Sequence, residues 1–193
     1  MKVTSREVVY ECPIFKIEER KVVTRNNDLK TFWTMVRPPN VGVIGITNDK
    51  KIVLIKEELG EESRECLLLP GGKVDKYNAT EEEIQNQALQ ELLEESGYNA
   101  NNVELLSKES TPWNTLDRDF YRFIAWDLED VGQELESGEY ITRFLVSVEE
   151  AEKLIQERRM TSPEEERALE KALKVFKVKG LLEKVIDYRN LYT

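Results

Sequence analysis

The sequence predicts an α/β (α+β) domain with a mixed sheet, antiparallel strands at the amino-terminal end and a helical extension at the carboxyl-terminal end. Three observations support this fold class. Before Pro70, short segments rich in β-branched and aromatic residues alternate with turn sequences. A strongly acidic segment, 80–96, has the signals of a helix and is followed by further strand-like segments. After residue 161, apolar residues recur at helical spacing.

Each element is predicted from local signals. Strands are expected at 7–10, 15–24, 30–36, 41–47, 52–56, 66–69, 103–107, 120–126 and 141–146. Helices are expected at 80–96, where Gly97 ends the helix, and at 148–158. Ser162 and Pro163 begin a third helix, in which we expect Glu165 to complete a capping box, and a further helical segment is expected at 181–188. We therefore divide the chain into amino-terminal strands (1–38), a central domain (39–160) and carboxyl-terminal helices that pack on it (161–193).

Composition excludes several classes of function. The 38 acidic and 28 basic residues give a net charge of −10, which disfavours binding to nucleic acid or to an anionic membrane. No apolar run approaches the roughly 18 residues that span a bilayer, and the amino terminus lacks the apolar core of a signal peptide, so we expect a cytoplasmic protein. The chain has no histidine, which excludes Ser-His-Asp and Cys-His catalysis and histidine-bound zinc. Cys12 and Cys66 are expected to be small buried apolar residues.

The segment that carries chemistry is the acidic helix. Between Tyr77 and Ser107 there are seven acidic residues and no lysine or arginine. A helix turns about 100° per residue, so Glu91, Glu94 and Glu95 share one face. Like charges at this spacing repel one another, whereas a divalent cation would stabilise them, and carboxylates suit Mg²⁺ or Mn²⁺. A solvated acidic face is the alternative interpretation of the helix taken alone.

The flanking residues favour the metal site. The pattern Gly72 … Glu82 … 90–98, with the sequence Gln-Glu-Leu-Leu-Glu-Glu-Ser-Gly-Tyr, resembles the Nudix box, G-x5-E-x7-R-E-U-x-E-E-x-G-U. Two departures stand out: the loop after Gly72 is four residues longer than in the box, and Gln90 occupies the arginine position. The Leu-Pro-Gly-Gly turn at 69–72, Thr111-Pro112 and a later acidic loop are similar to the ADP-ribose pyrophosphatase branch of the family.

This resemblance implies an α/β/α sandwich and a pyrophosphohydrolase that depends on Mg²⁺ or Mn²⁺. It implies a metal site formed by the three box glutamates Glu91, Glu94 and Glu95, the carbonyl of Gly71, and Glu139 from the acidic loop. Glu136, Glu139 and Glu95 are the candidate catalytic residues, with Glu136 as the candidate base, although a solvated loop is an equal alternative for each loop acid. The resemblance also implies a homodimer formed through residues 1–38.

Five residues are candidates for substrate binding, and each has an alternative role. Trp113 stacks on a base or covers the core, while Trp33 contacts the nucleobase or, with the greater weight, packs on the sheet. Arg37 precedes a strand at the Pro-Pro turn and suits a phosphate or ribose, as does Lys56 with less weight. Arg118 lies in a loop where it departs from the pattern of the branch.

The expected activity is hydrolysis of the diphosphate of a nucleoside diphosphate sugar, with ADP-ribose giving AMP and ribose 5-phosphate. Another Nudix substrate is the first alternative: GDP-mannose, a dinucleoside polyphosphate or an oxidised nucleotide. A catalytically silent protein that binds a nucleotide is the second alternative, and Gln90 and the longer loop favour it.

Overall fold

The structure is a computed structural model, and it describes residues 2–59, 64–111, 115–135 and 138–182. The strands in these ranges are β1 (Lys2–Glu11), β2 (Lys16–Val23), β3 (Leu29–Val36), β4 (Asn40–Ile46), β5 (Ile52–Leu59), β6 (Arg64–Leu68), β7 (Tyr98–Ser110), β8 (Leu116–Asp117), β9 (Asp119–Asp130) and β10 (Ile141–Val146). The helices are α1 (Glu81–Ser96), α2 (Val148–Gln156) and α3 (Pro163–Val178). The predicted α/β fold class is therefore confirmed.

The described strands form two sheets. The amino-terminal sheet has the order β1-β2-β3-β8, and the central sheet has the order β10-β5-β4-β9-β7, with β6 paired to β5. The central sheet is mixed, because β4 and β9 are parallel while β5, β7 and β10 pair antiparallel with their neighbours. Helix α1 packs against β4 and β5.

Two apolar layers cover the central sheet, one on each face. Even-numbered residues of β4 such as Ile44 pack with Leu169 and Phe176 of α3, and odd-numbered residues such as Val43 pack with Leu92 of α1. This alternation follows from the two-residue period of a strand. The result is the α/β/α sandwich that the sequence implied.

Local capping signals set the helix ends. Thr80 begins α1 with a complete capping box that includes Glu83, and Gly97 ends it in the left-handed conformation. The prediction for α3 was wrong in one respect. The Ser162 side chain accepts a hydrogen bond from the Glu165 amide, but the Glu165 carboxylate does not bond back to Ser162. It accepts a hydrogen bond from the Leu69 amide instead.

Three other expectations have different outcomes. Cys66 is buried as predicted, but Cys12 is only half-buried, because it lies in the turn after β1, where its thiol contacts the Phe15 carbonyl. The helical segment expected at 181–188 lies largely outside the described residues. None of the helices in the described part of the chain combines the length and the apolar character that crossing a bilayer requires.

Candidate active site

The segment 69–72 connects the two faces of the central sheet. It runs beside β4, where the Val43 amide donates to the Pro70 carbonyl (2.8 Å) and the Val41 amide donates to the Gly72 carbonyl (2.9 Å). Successive carbonyls of an extended chain point in opposite directions. The Gly71 carbonyl is therefore directed away from β4, on the side where the Gly71 amide donates to the carboxylate of Glu95 (2.6 Å).

Glu95 is the buried member of the acidic helix. Its side chain is only 6% exposed, and it follows Leu92 by three residues on the stripe of α1 that packs on the sheet. The pKa of Glu95 is raised to about 9, chiefly by burial; the hydrogen bond from Gly71 opposes the shift, and the charges of Glu91, Glu57 and Glu139 add to it. A carboxylate in this position needs a proton or a cation nearby.

The other two box glutamates are held by neighbours on their own helix. The amide nitrogen of Gln87 donates to Glu91 (3.0 Å), and that of Gln90 donates to Glu94 (2.8 Å). The carboxylate of Glu91 lies against Gly72, since a Cβ on Gly72 would be 2.6 Å from Glu91 Cδ. A side chain at position 72 would therefore displace that carboxylate. Gln90 orients a carboxylate but brings no charge to balance it.

Two further carboxylates face Glu95 from the strands. Glu57 is half-buried near the end of β5, opposite Ile141 of β10, and Glu139 precedes that strand by two residues. Burial and the charge of Glu139 both raise the pKa of Glu57. We call Glu57, Glu91, Glu95 and Glu139 the acidic cluster. The structure thus brings the box helix, the start of β10 and the end of β5 together.

Divalent cations suit this cluster by chemistry. Its donors are all carboxylate oxygens, with the Gly71 carbonyl on the same side, which is the donor type that Mg²⁺ prefers. Within the described part of the chain, however, no three acidic, histidine or cysteine side chains converge closely enough to enclose an ion. Glu91 and Glu95 point to hydrogen-bond donors on different elements, so binding a cation would require their carboxylates to turn toward one another.

The candidate substrate residues divide into separate regions. Arg37 and Arg118 line one cavity of about 220 Å³ between the amino-terminal sheet and β9. Lys56 lies elsewhere: its ammonium pairs with Glu65 (2.7 Å) and does not join the two arginines. Trp33 is 59% exposed on β3. Glu136 and Trp113 lie outside the described residues.

Sequence reasoning did not find three functional candidates: Glu57, Glu165 and Arg122. Glu57 could have been found by pairing the end of β5 with the strand that follows Glu139. Arg122 carries the clearest local signal, because it is a single charge within the apolar strand segment 120–126 and is 8% exposed. Buried arginines are rare unless a partner compensates their charge.

Comparison with known proteins agrees with the box and its geometry. Residues 36–170, well over half of the chain, match the NUDIX domain family. The chain belongs to the Nudix family. It is a Nudix hydrolase of the ADP-ribose pyrophosphatase-like type, which confirms the family suggested by the box, and Nudix hydrolases generally use divalent metal ions.

Two curated relatives and one solved structure are similar to this Nudix hydrolase. An "ADP-ribose pyrophosphatase" from Bacillus subtilis (strain 168) is 26% identical over 159 residues, which cover 81% of this chain and 84% of the relative. A "Methanol dehydrogenase activator" from Bacillus methanolicus is 26% identical over 161 residues, which cover 82% and 85%. The "Crystal structure of ADP compounds hydrolase" has a TM-score of 0.75 at 21% identity and covers 94% of this chain and 96% of its own. This last similarity shows the fold.

Proposed function

We propose that this Nudix hydrolase cleaves the diphosphate linkage of a nucleoside diphosphate sugar, with ADP-ribose as substrate and AMP and ribose 5-phosphate as products. The observation that carries the proposal is the buried carboxylate of Glu95, held 2.6 Å from the Gly71 amide and under the electrostatic influence of three other acids. The printed names of the Bacillus subtilis relative and of the solved structure support an ADP-containing substrate.

Mg²⁺ or Mn²⁺ is the proposed cofactor, with Glu91, Glu94, Glu95, Glu139 and the Gly71 carbonyl as its ligands. When bound, such an ion supplies charge neutralisation for the diphosphate and makes water more acidic. The chain's own contribution is positional. The Gly71 amide orients Glu95, Gln87 orients Glu91 and Gln90 orients Glu94. We add Glu57 as a further candidate ligand because its charge acts on Glu95.

For the proton-transfer role we propose the carboxylates of the loop before β10. Glu139 belongs to the acidic cluster, so its carboxylate is near the site where a water would have to be activated. Glu136 is the second candidate base, proposed from the sequence alone. Glu95 completes the proposed catalytic set. A base in this position would orient or deprotonate the attacking water.

Substrate binding is proposed for Arg37, Arg118, Trp33, Trp113 and Lys56. Arg37 and Arg118 have the strongest support, since they share a cavity and their positive charges interact. The salt bridge of Lys56 to Glu65 weakens its candidacy. The region 1–38 is proposed as a dimerisation region, 39–160 as the hydrolase domain and 161–193 as helices packed on it.

The dimer proposal rests on the amino-terminal sheet. Strand β1 is exposed along its whole length, and Val8, Val9 and Tyr10 on it are each about half exposed (47%, 50% and 54%). Adjacent exposed apolar side chains on a sheet commonly mark an interface. Sedimentation of the native chain should give the mass of two copies, and Val8→Lys should shift it toward one. A single-copy mass for the native chain at every concentration would contradict the dimer.

Hydrolysis is tested by incubating the full-length protein with Mg²⁺ and a panel of nucleotides, and by measuring release of nucleoside monophosphate. The panel contains ADP-ribose, GDP-mannose, a dinucleoside polyphosphate and an oxidised nucleotide. Glu95→Gln should lower kcat/KM by at least about a hundredfold, while Glu81→Gln, an exposed residue on the same helix, should not change it. Turnover of another panel member in place of ADP-ribose would correct the substrate. Full activity in Glu95→Gln would overturn the assignment of the site.

A further inference from the structure

A second site candidate lies on the opposite face of the central sheet from α1. A cavity of about 460 Å³ is bounded by the start of β9, the end of β7 and the beginning of α3. Phe120 and Arg122 face it, since they have the same parity as Ile124, which packs on the α3 side. Arg118, just before β9, also lines it. We call this space the arginine cavity.

The two arginines are held in place by one aromatic ring. The guanidinium carbon of Arg118 lies 3.9 Å from the ring centre of Phe120, and that of Arg122 lies 5.0 Å from it. Both distances are within the range of cation–π attraction. Arg122 is 8% exposed, and a Cβ on Gly42 would be 3.0 Å from one of its nitrogens. The side chain therefore has little freedom to turn toward solvent.

Neither arginine has a salt bridge to a described residue. The ion pairs between described residues do not include Arg118 or Arg122, and the Nε of Arg118 is buried without a hydrogen-bond partner. Burial lowers the pKa of both groups, and for Arg118 the charges of Arg37 and Arg122 lower it further. Arg122 is buried and Arg118 is half-buried, and two such cations that repel each other are stabilised by an anion placed between them.

The acids at the cavity do not supply that anion. Glu164 is paired with Arg167 (3.1 Å), so these two charges neutralise each other at the rim. Glu165 influences Arg122 electrostatically but is not within ion-pair distance of it, and one of its carboxylate oxygens is buried without a partner. Glu109 also lines the cavity and acts on Arg122 electrostatically, but it forms no ion pair with either arginine. The cavity thus keeps two guanidinium groups that no described carboxylate contacts at ion-pair distance.

We propose that the arginine cavity binds a phosphate group, held by the guanidinium groups of Arg118 and Arg122 beside Phe120. Phosphate is the anion class that suits paired, planar guanidinium groups best, because its oxygens accept two hydrogen bonds from each fork. The protein's net charge of −10 repels phosphate at long range. Phosphate binding therefore needs a local group of positive charges such as these two arginines. This site lies across the sheet from the acidic cluster and does not require hydrolysis to occur, although Arg118 also lines the cavity that it shares with Arg37.

The test is titration of inorganic phosphate into the full-length protein with a chelator present, followed by calorimetry. The native chain should bind one phosphate, and Arg122→Gln and Arg118→Gln should each weaken it by about tenfold to a hundredfold. Arg167→Gln is the matched control, because it removes the same charge from the same cavity but from a residue already paired. Arg122→Lys should give intermediate affinity, since it keeps the charge and loses the fork.

Thermal unfolding of each variant shows whether it is folded, and phosphate should raise the Tm of the native chain more than that of the Gln variants. Absence of binding by the folded native chain at about 10 mM phosphate would overturn the proposal. So would equal binding by the native chain and both Gln variants. Because the chelator prevents metal-dependent turnover, this result is independent of whether the protein hydrolyses ADP-ribose.

The source of the phosphate group is distinguished by a second titration with ribose 5-phosphate. A phosphate carried by a sugar should bind more tightly than inorganic phosphate and lose affinity in Arg122→Gln. If free phosphate is the ligand, the sugar phosphate should bind no better than inorganic phosphate. Either result is consistent with a phosphate site, and loss of affinity in Arg122→Gln is required for both.

Discussion

Glu165 is a buried carboxylate between α3 and the 69–72 segment. Replacing it by glutamine tests how much free energy of unfolding is lost because this carboxylate is ionised at neutral pH. Glu165 is 9% exposed, and burial raises its pKa from 4.5 to about 7. The hydrogen bond from the Leu69 amide and the charge of Arg122 oppose this shift. Glutamine keeps an oxygen that can accept from Leu69 but carries no charge, so the substitution isolates the cost of ionisation.

The magnitude follows from the change in pKa. A difference of about 2.5 pH units between folded and unfolded states corresponds to ~3 kcal/mol. Because the pKa of Glu165 is higher in the folded state, Glu165 loses its proton at a lower pH in the unfolded chain than in the folded chain. The stability contributed by protonated Glu165 is present below pH 4.5 and is lost as the pH rises through about 7. Against a total of about 5–15 kcal/mol, this loss is large.

The assay is urea unfolding of the metal-free protein from pH 5 to pH 8. The free energy of unfolding of Glu165→Gln, minus that of the native chain, should rise by about 2–3 kcal/mol over this range. Glu166→Gln, the same chemical change one residue later on α3, should show no comparable rise. A difference for Glu165→Gln that is equal at pH 5 and pH 8 would refute the argument that burial raises this pKa.

Two further predictions concern the active-site backbone and the end of α1. Gly72→Ala should lower kcat/KM with little change in Tm, because its Cβ would displace only the flexible Glu91 carboxylate. Gly71→Ala is the contrasting variant and should lower the Tm as well, since its Cβ would meet the backbone of β4. Equal Tm values for the two variants would contradict this prediction. Arg143→Gln should lower the free energy of unfolding by about 1–2 kcal/mol in urea, because the guanidinium donates to the last carbonyl of α1 (2.8 Å); an unchanged midpoint would show that this contact is not stabilising.

Local sequence signals predicted most of the fold but not the extent of its strands. The predicted strands 7–10 and 103–107 correspond to β1 (Lys2–Glu11) and β7 (Tyr98–Ser110). Most of their outer residues are polar and lack the alternating pattern of a strand. They are strands because β2 and β9 pair with them along nearly their whole length. The two-residue strand β8 has no signal other than its parallel pairing with β3.

The same distinction applies to the site. Gly71, Glu91 and Glu95 could be selected because the box fixes their spacing: Gly71 lies in the turn before the helix, and the two glutamates lie on the helix. Glu57 could be selected only after β5 had been paired with β10, and Glu165 could not be selected, since its contact with Leu69 joins elements that are distant in sequence. Local spacing determines which residues share a helix face, whereas the partner across a sheet or a helix interface depends on tertiary packing.

The segment 69–72 links the two helical layers through the backbone. The Leu69 amide donates a hydrogen bond to Glu165 of α3, and the Gly71 amide donates one to Glu95 of α1. Two glutamates on opposite sides of the sheet therefore hold the same short stretch of chain. The position of the Gly71 carbonyl therefore depends on a residue from the last third of the sequence. Shortened versions of the protein that end before Pro163 should lose not only a packing surface but also the alignment of the acidic cluster, even though every residue of the Nudix box would still be present.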